Sequence, residues 1–145
     1  MLVSTRGRYA LRMMIELASI GNGEYTSLKE ISKDQEISMK YLEQITTLLS
    51  KAGLLRSARG AKGGYMLARK PEDYSVREIL LATEGSLAPT DCIVNKCDTC
   101  SHATECATME LWEDLDALIR DYFSNITLAD LLKRHEEKGA NAYVI

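Results

Sequence analysis

Apolar positions recur at three- and four-residue spacing along most of the chain and alternate in only one short region. Ala10, Met13, Met14, Leu17 and Ala18 mark one buried face of a first helix. Ser4 suits its N-cap, and "GNGEY" at 21–25 ends it. "SLKE" (Ser27–Glu30) is a capping box, with a hydroxyl and a carboxylate three residues apart that can each bond the other's backbone amide. It predicts a short helix over 28–33. Ser38 then caps a third helix whose inward stripe is Leu42, Ile45, Leu49 and Ala52. Gly53 falls where a left-handed C-terminal residue belongs. The outward face of that helix carries Met39, Lys40, Glu43, Gln44, Thr47 and Lys51.

"LLRS" and "YMLA" follow as two short strands. The glycine-rich tip between them, "ARGAKGG" at 58–64, is too long for a two-residue turn, so the pair predicts a β-hairpin with a basic loop. "SVRE" (Ser75–Glu78) is a second capping box and opens a helix ending near Gly85. A polar stretch with a short turn inside it leads to a long helix that starts at Thr104 or Ala107 and ends at Ser124. "TLAD" (Thr127–Asp130) caps a last, short helix, and the final residues read as a loose tail. The predicted class is mainly α with a small β-hairpin. A winged helix-turn-helix over 1–85 is followed by a cysteine loop over 86–106. A dimerisation helix and a short C-terminal helix fill 107–137, and a tail 138–145.

Charge changes what this pattern means. The net charge is −3 over 145 residues. Residues 1–80 hold 13 basic against 9 acidic side chains, and residues 81–145 hold 5 against 12. Between 51 and 70 there are six basic residues and no acid: Lys51, Arg56, Arg59, Lys62, Arg69 and Lys70. A local basic patch is what meets phosphates, whatever the overall balance. A helix about 12 Å across fits the DNA major groove. The third helix offers it Ser38, Lys40, Tyr41, Glu43, Gln44 and Thr47. Tyr41 and Leu42 also suit a part-buried role. A hairpin beside the groove can lay Arg56, Arg59 or Lys62 on phosphates or into the minor groove. The expected partner is double-stranded DNA. Interleaved arginines near the start and no long apolar run predict no signal peptide, no membrane contact and a cytoplasmic address.

The long helix carries two apolar stripes. Leu111, Leu115, Leu118 and Tyr122 form one, and Trp112, Ile119 and Phe123 the other. A helix apolar on two faces packs against two things, here its own domain and a second subunit. Leu111, Trp112, Leu115, Leu118, Ile119 and Tyr122 are the predicted dimer contacts. A two-fold dimer would present two recognition helices to a roughly palindromic operator.

All four cysteines fall in one stretch: Cys92, Cys97, Cys100 and Cys106. A disulfide is disfavoured in a reducing compartment. A dithiol oxidoreductase built on Cys97 and Cys100 lacks the βαβ setting such motifs need, so no enzyme is expected. Structural zinc and an iron–sulfur cluster both suit the donor set, and spacing does not separate them.

One block carries a resemblance. "SMKYLEQITTLLSKAGLLRSARGAKGGY" resembles the core of the IscR-type regulators, the Rrf-two family of winged-helix transcription factors. The matching positions are Ser38, Tyr41, Leu42, Glu43, Gln44, Gly53, Leu54, Leu55, Arg59, Gly60, Gly63, Gly64 and Tyr65. "STRGRYALRMMIELA" resembles the family's first helix, and "LWEDL…FSNITLADLL" its C-terminal part. The resemblance implies a dimeric DNA-binding regulator. Ser38, Tyr41 and Gln44 would sit on the recognition helix, and Arg59 would enter the minor groove. Glu43 would act by excluding some sequences. The resemblance also implies a [2Fe–2S] cluster on Cys92, Cys100 and Cys106. Cys97 is an addition to the family pattern, and Met109 stands where the best-known branch has a histidine ligand. Arg8 lies in the region where other members place an acidic ligand. The fourth ligand is left among Cys97, His102 and a residue of the partner subunit, and a register with Cys97 in place of Cys100 stays open. Zinc is the alternative metal, and a metal-free thiol switch the alternative mechanism.

Overall fold

The computed structural model describes residues 3–21, 23–95 and 100–142. Its elements are α1 (Thr5–Ile20), α2 (Leu28–Gln35), α3 (Met39–Lys51), β1 (Leu55–Ala58), β2 (Gly64–Leu67), α4 (Val76–Glu84), α5 (Asp91–Val94), α6 (Met109–Ser124) and α7 (Leu128–Ala142). One-turn 3-10 segments lie at Pro71–Asp73 and Ala103–Glu105.

Local chemistry sets the helix starts. Ser4, Ser27, Ser38 and Ser75 each accept a hydrogen bond from a backbone amide three residues on. Ser27 and Glu30 close the full capping box, as do Thr127 and Asp130. The reciprocal bonds to the Thr127 amide and hydroxyl hold the Asp130 carboxyl below the usual carboxylate range. The box at Ser75 is only half made: the Glu78 carboxylate reaches Arg69 at 2.6 Å instead of the Ser75 amide. A charged partner outcompetes a neutral backbone donor there.

Helix α1 is the centre of the core. Ala10, Met13, Met14, Leu17 and Ala18 are buried against Ile31, Leu42, Ile45, Leu49, Ile79 and Leu128. The inward stripe of α3 is Leu42, Ile45, Thr46 and Leu49. Ala52 was expected on it but is exposed, because α3 stops at Lys51 and Gly53 turns the chain away at φ 75°. A smaller cluster of Val76, Leu80 and Leu87 receives Ile119 and Phe123 from α6.

The hairpin pairs Leu55 with Leu67 and Ala58 with Gly64. It is anchored at Thr26, whose amide and carbonyl exchange bonds of 2.9 and 2.8 Å with Tyr65. The approach is so close that a Cβ on Gly64 would lie 2.1 Å from the Thr26 carbonyl oxygen, and Gly64 sits at φ +141°.

Several boundaries differ from the sequence reading: α2 runs two residues further, to Gln35, and each strand is offset by one residue. Helix α6 begins at Met109, after a 3-10 turn that takes up Ala103–Glu105. Helix α7 is 15 residues long and continues to Ala142, past the expected end at 137. Among the described residues, no helix is long and apolar enough to cross a membrane.

Gly64→Ala is expected to lower unfolding stability by at least about 2 kcal/mol, from backbone strain and the clash with Thr26. Urea unfolding measures it, and a change within about 0.5 kcal/mol would contradict the close approach.

Candidate DNA interface and cysteine loop

The third helix presents Ser38, Met39, Lys40, Glu43, Gln44, Thr47 and Lys51 to solvent. Lys40, Gln44, Thr47 and Lys51 recur every three or four residues and so share one exposed strip. Ser38 is committed in part to its cap, its oxygen accepting from the Tyr41 amide at 3.2 Å. The Thr47 hydroxyl donates to the Glu43 carbonyl at 2.7 Å. Tyr41 is half-buried, edge-on to Tyr9 with centroids 5.7 Å apart, and Arg12 lies over the Tyr9 ring at 5.4 Å. Tyr41 therefore braces α3 against α1 and leaves only part of its surface for a ligand, while Leu42 is wholly core.

The hairpin stands beside this strip with Arg56, Arg59 and Lys62 exposed. Arg59 occupies the tip. Arg56 borders a 370 Å³ concavity with Arg69 and Lys70, next to the end of α1. Lys62 shares a 570 Å³ hollow with Glu24 and Glu30, so acids from the turn before α2 and from α2 offset part of its charge.

Past α4 the chain changes character. Cys92 is half-buried on α5 and lines a 380 Å³ hollow with Ile93, Met109, Glu113, Asp116, Ala117 and Arg120. Met109, the first residue of α6, thus faces the same hollow as Cys92. Asp116 is ion-paired with Arg120 one turn away. Cys106 is half-buried just before α6, its sulfur 3.3 Å from the Thr108 hydroxyl. Hydrogen bonding from the Thr108 side chain and backbone holds this thiol below its ordinary range, which favours thiolate. Cys100 and His102 are exposed. Cys97 lies outside the described residues. Among the described residues, no three His, Cys, Asp or Glu side chains converge as a metal site.

Helix α6 shows both expected faces. Trp112, Ile119 and Phe123 are half-buried, with Ile119 and Phe123 packed on the small cluster. Leu111, Leu115, Leu118 and Tyr122 keep 56, 37, 67 and 62% of their surface exposed.

Sequence reasoning missed one buried group. Tyr74 is fully buried behind the hairpin and hydrogen-bonded at its base. Its signal was one aromatic residue between "PED" and a helix cap, which has no periodic partner to reveal burial.

A helix-turn-helix with an exposed polar strip and an adjacent basic wing defines a transcription regulator of the winged-helix class, not an enzyme. Residues 3–134 match the Rrf2 family, described as iron-dependent transcriptional regulators, and the chain belongs to that family. It is 38% identical over 138 residues to a putative HTH-type transcriptional regulator of Haemophilus influenzae, covering 95% of this chain and 91% of that one. It is also 38% identical over 136 residues to IscR of Vibrio campbellii, covering 94% and 80%. Among solved structures, T. potens IscR superposes with a TM-score of 0.75 at 39% identity, over 95% of this chain and 90% of the other. CymR, the global cysteine regulator of B. subtilis, gives 0.75 at 34% identity, over 92% and 98%.

Arg59→Ala should weaken binding to a duplex of any sequence and reduce the slope of log affinity against log salt by about 1. A salt titration by fluorescence anisotropy reads both. An unchanged slope would remove Arg59 from the contact surface.

Proposed function

We propose that this chain is a homodimeric, cytoplasmic DNA-binding regulator whose loop cysteines hold a [2Fe–2S] cluster and thereby tune operator binding. The observation that carries the sensor reading is the hollow between α5 and α6. Cys92 borders it from one side and Met109, three residues after Cys106, from the other. The first cysteine of the loop and the start of the helix that follows the last one therefore border one hollow. Four thiols in such a loop are the donor set that clusters take. Cys92, Cys100 and Cys106 would be ligands. Cys97, His102 or a residue of the partner subunit would be the fourth. A cluster held by those residues would supply a link sensitive to iron supply, oxidants and nitric oxide.

The bare stripe Leu111, Leu115, Leu118 and Tyr122 supports pairing of two copies through α6. Trp112 and Ile119 flank it. Ser38, Lys40, Tyr41, Glu43 and Gln44 of each copy would then read one half of a palindromic operator, with half-sites about 34 Å apart. Arg56, Arg59 and Lys62 would hold the backbone or minor groove. Glu43 would reject bases that present acceptors to it. Ordering of the loop against α6 would bias the separation of the two wings.

A second reading has its own support. The Cys106 thiol is shifted toward thiolate by Thr108, and CymR of Staphylococcus aureus, solved in an oxidised form, is 37% identical with a TM-score of 0.71. On this reading the cysteines form a metal-free thiol switch. Zinc on the same thiols is the remaining alternative.

Purification without oxygen, with iron, sulfide and zinc analysis, separates them. The proposal expects brown protein with iron and sulfide in equal amounts, and loss of colour in Cys92→Ala, Cys100→Ala or Cys106→Ala. Colourless protein with stoichiometric zinc would sink the cluster and leave DNA binding standing. Metal-free protein whose thiol count falls with peroxide would favour the switch.

A further inference from the structure

A single phenol bonds to both feet of the wing. Tyr74 is 0% exposed. Its hydroxyl accepts hydrogen bonds from the amides of Ala68 at 2.8 Å and Arg69 at 3.0 Å, and donates to the Leu54 carbonyl at 2.7 Å. One donor and two acceptor positions are all that a phenol has, so the group is saturated. Its partners are not scattered through the core. Leu54 is the residue between Gly53, where the chain leaves α3, and the first residue of β1. Ala68 and Arg69 are the first two residues after β2. One oxygen therefore joins both feet of the wing to the exit of the recognition helix.

The ring is gripped from two further sides. The Arg69 guanidinium lies over it at 4.5 Å, donates to the Asp73 carbonyl at 3.2 Å and pairs with Glu78 of α4 at 2.6 Å. On the other side, the Tyr74 carbonyl accepts from the Leu128 amide at 3.0 Å, and the Val76 amide donates to the Ile126 carbonyl at 2.8 Å. The anchor is thus fastened to α4 and to the corner between α6 and α7. Without the phenol the feet would keep one direct bond, from the Ala68 amide to the Leu54 carbonyl at 3.3 Å, beside the ladder and the Thr26 bridge; the phenol adds three shorter bonds and stiffens that joint.

We propose that Tyr74, braced by Arg69 and Glu78, is a positioning residue for DNA binding: it sets the angle of the wing to the recognition helix without touching DNA. This rests on the reading of the hairpin as a DNA-contacting wing. A phenylalanine at this place would fill the same volume but leave the feet only the longer Ala68–Leu54 backbone bond, so the hydroxyl is the part that matters.

The full chain is titrated with a random-sequence duplex across a salt series, as wild type, Tyr74→Phe, Arg59→Ala and the double variant, with circular dichroism and thermal unfolding on each. Tyr74→Phe is expected to keep the helical signal, weaken binding about threefold to tenfold and reduce the salt slope by up to about 1. The double variant is expected to bind no more than about twofold worse than Arg59→Ala, because the two changes remove the same contact. A Tyr74→Phe protein that melts earlier but keeps the wild-type slope, or losses that multiply in the double variant, would overturn the proposal and leave Tyr74 a packing residue. If Arg59→Ala itself keeps the wild-type slope, the wing reading falls and this proposal with it. A milder variant covers the case in which Tyr74→Phe does not fold. Glu78→Gln orphans no buried group, and hydrogen exchange at the Ala68 and Arg69 amides should speed up while that of α3 stays unchanged. Unchanged exchange at those two amides overturns the bracing.

Discussion

Burial of the α1 stripe is the constraint on which the rest of the structure depends. Met13 and Met14 are fully enclosed, and α2, α3, α4 and α7 all meet around that helix. Each of those helices is short or amphipathic and would be marginal alone. Packed on α1, they hold α3 with its polar strip outward. Truncating a side chain of that size in a core costs about 2–5 kcal/mol, a large share of a small domain's stability. The DNA-binding surface is therefore an indirect product of an apolar stripe on a helix that lends it no exposed apolar contact.

The two halves of the chain divide the electrostatic work. The basic residues cluster on the wing and the outer strip of α3, while the acidic half carries α6, α7 and the cysteine loop. On the proposed reading, this would keep a polyanion off the acidic half by repulsion and direct it to the basic hairpin. Lys62 is an exception on the local scale, since Glu24 and Glu30 border its hollow.

Much of the fold was legible because its signals are local. Ser4, Ser27, Ser38 and Thr127 cap helices as their spacing predicted, and Gly53 takes the left-handed turn. The readings that changed have identifiable causes. Glu78 left its capping box for Arg69, nine residues away. Ala52 left the stripe because the helix ended before it. Tyr41 takes the part-buried role its position suited, edge-on to Tyr9 of α1. The family and the winged-helix class were legible from the motif running from Ser38 to Tyr65, which the comparisons bear out. The cysteine site was less so: thiol spacing gives donor chemistry but not the path of the loop, and Cys97 lies outside the described residues.

In the proposed regulator, α6 joins two copies so that paired recognition helices and wings meet one duplex. Light scattering of the purified chain across concentration tests this most directly. The account predicts the mass of two chains for the wild type and of one chain for Leu118→Glu, whose carboxylate would sit on the bare apolar stripe. A wild type that stays at the mass of one chain at concentrations where it binds DNA would contradict it.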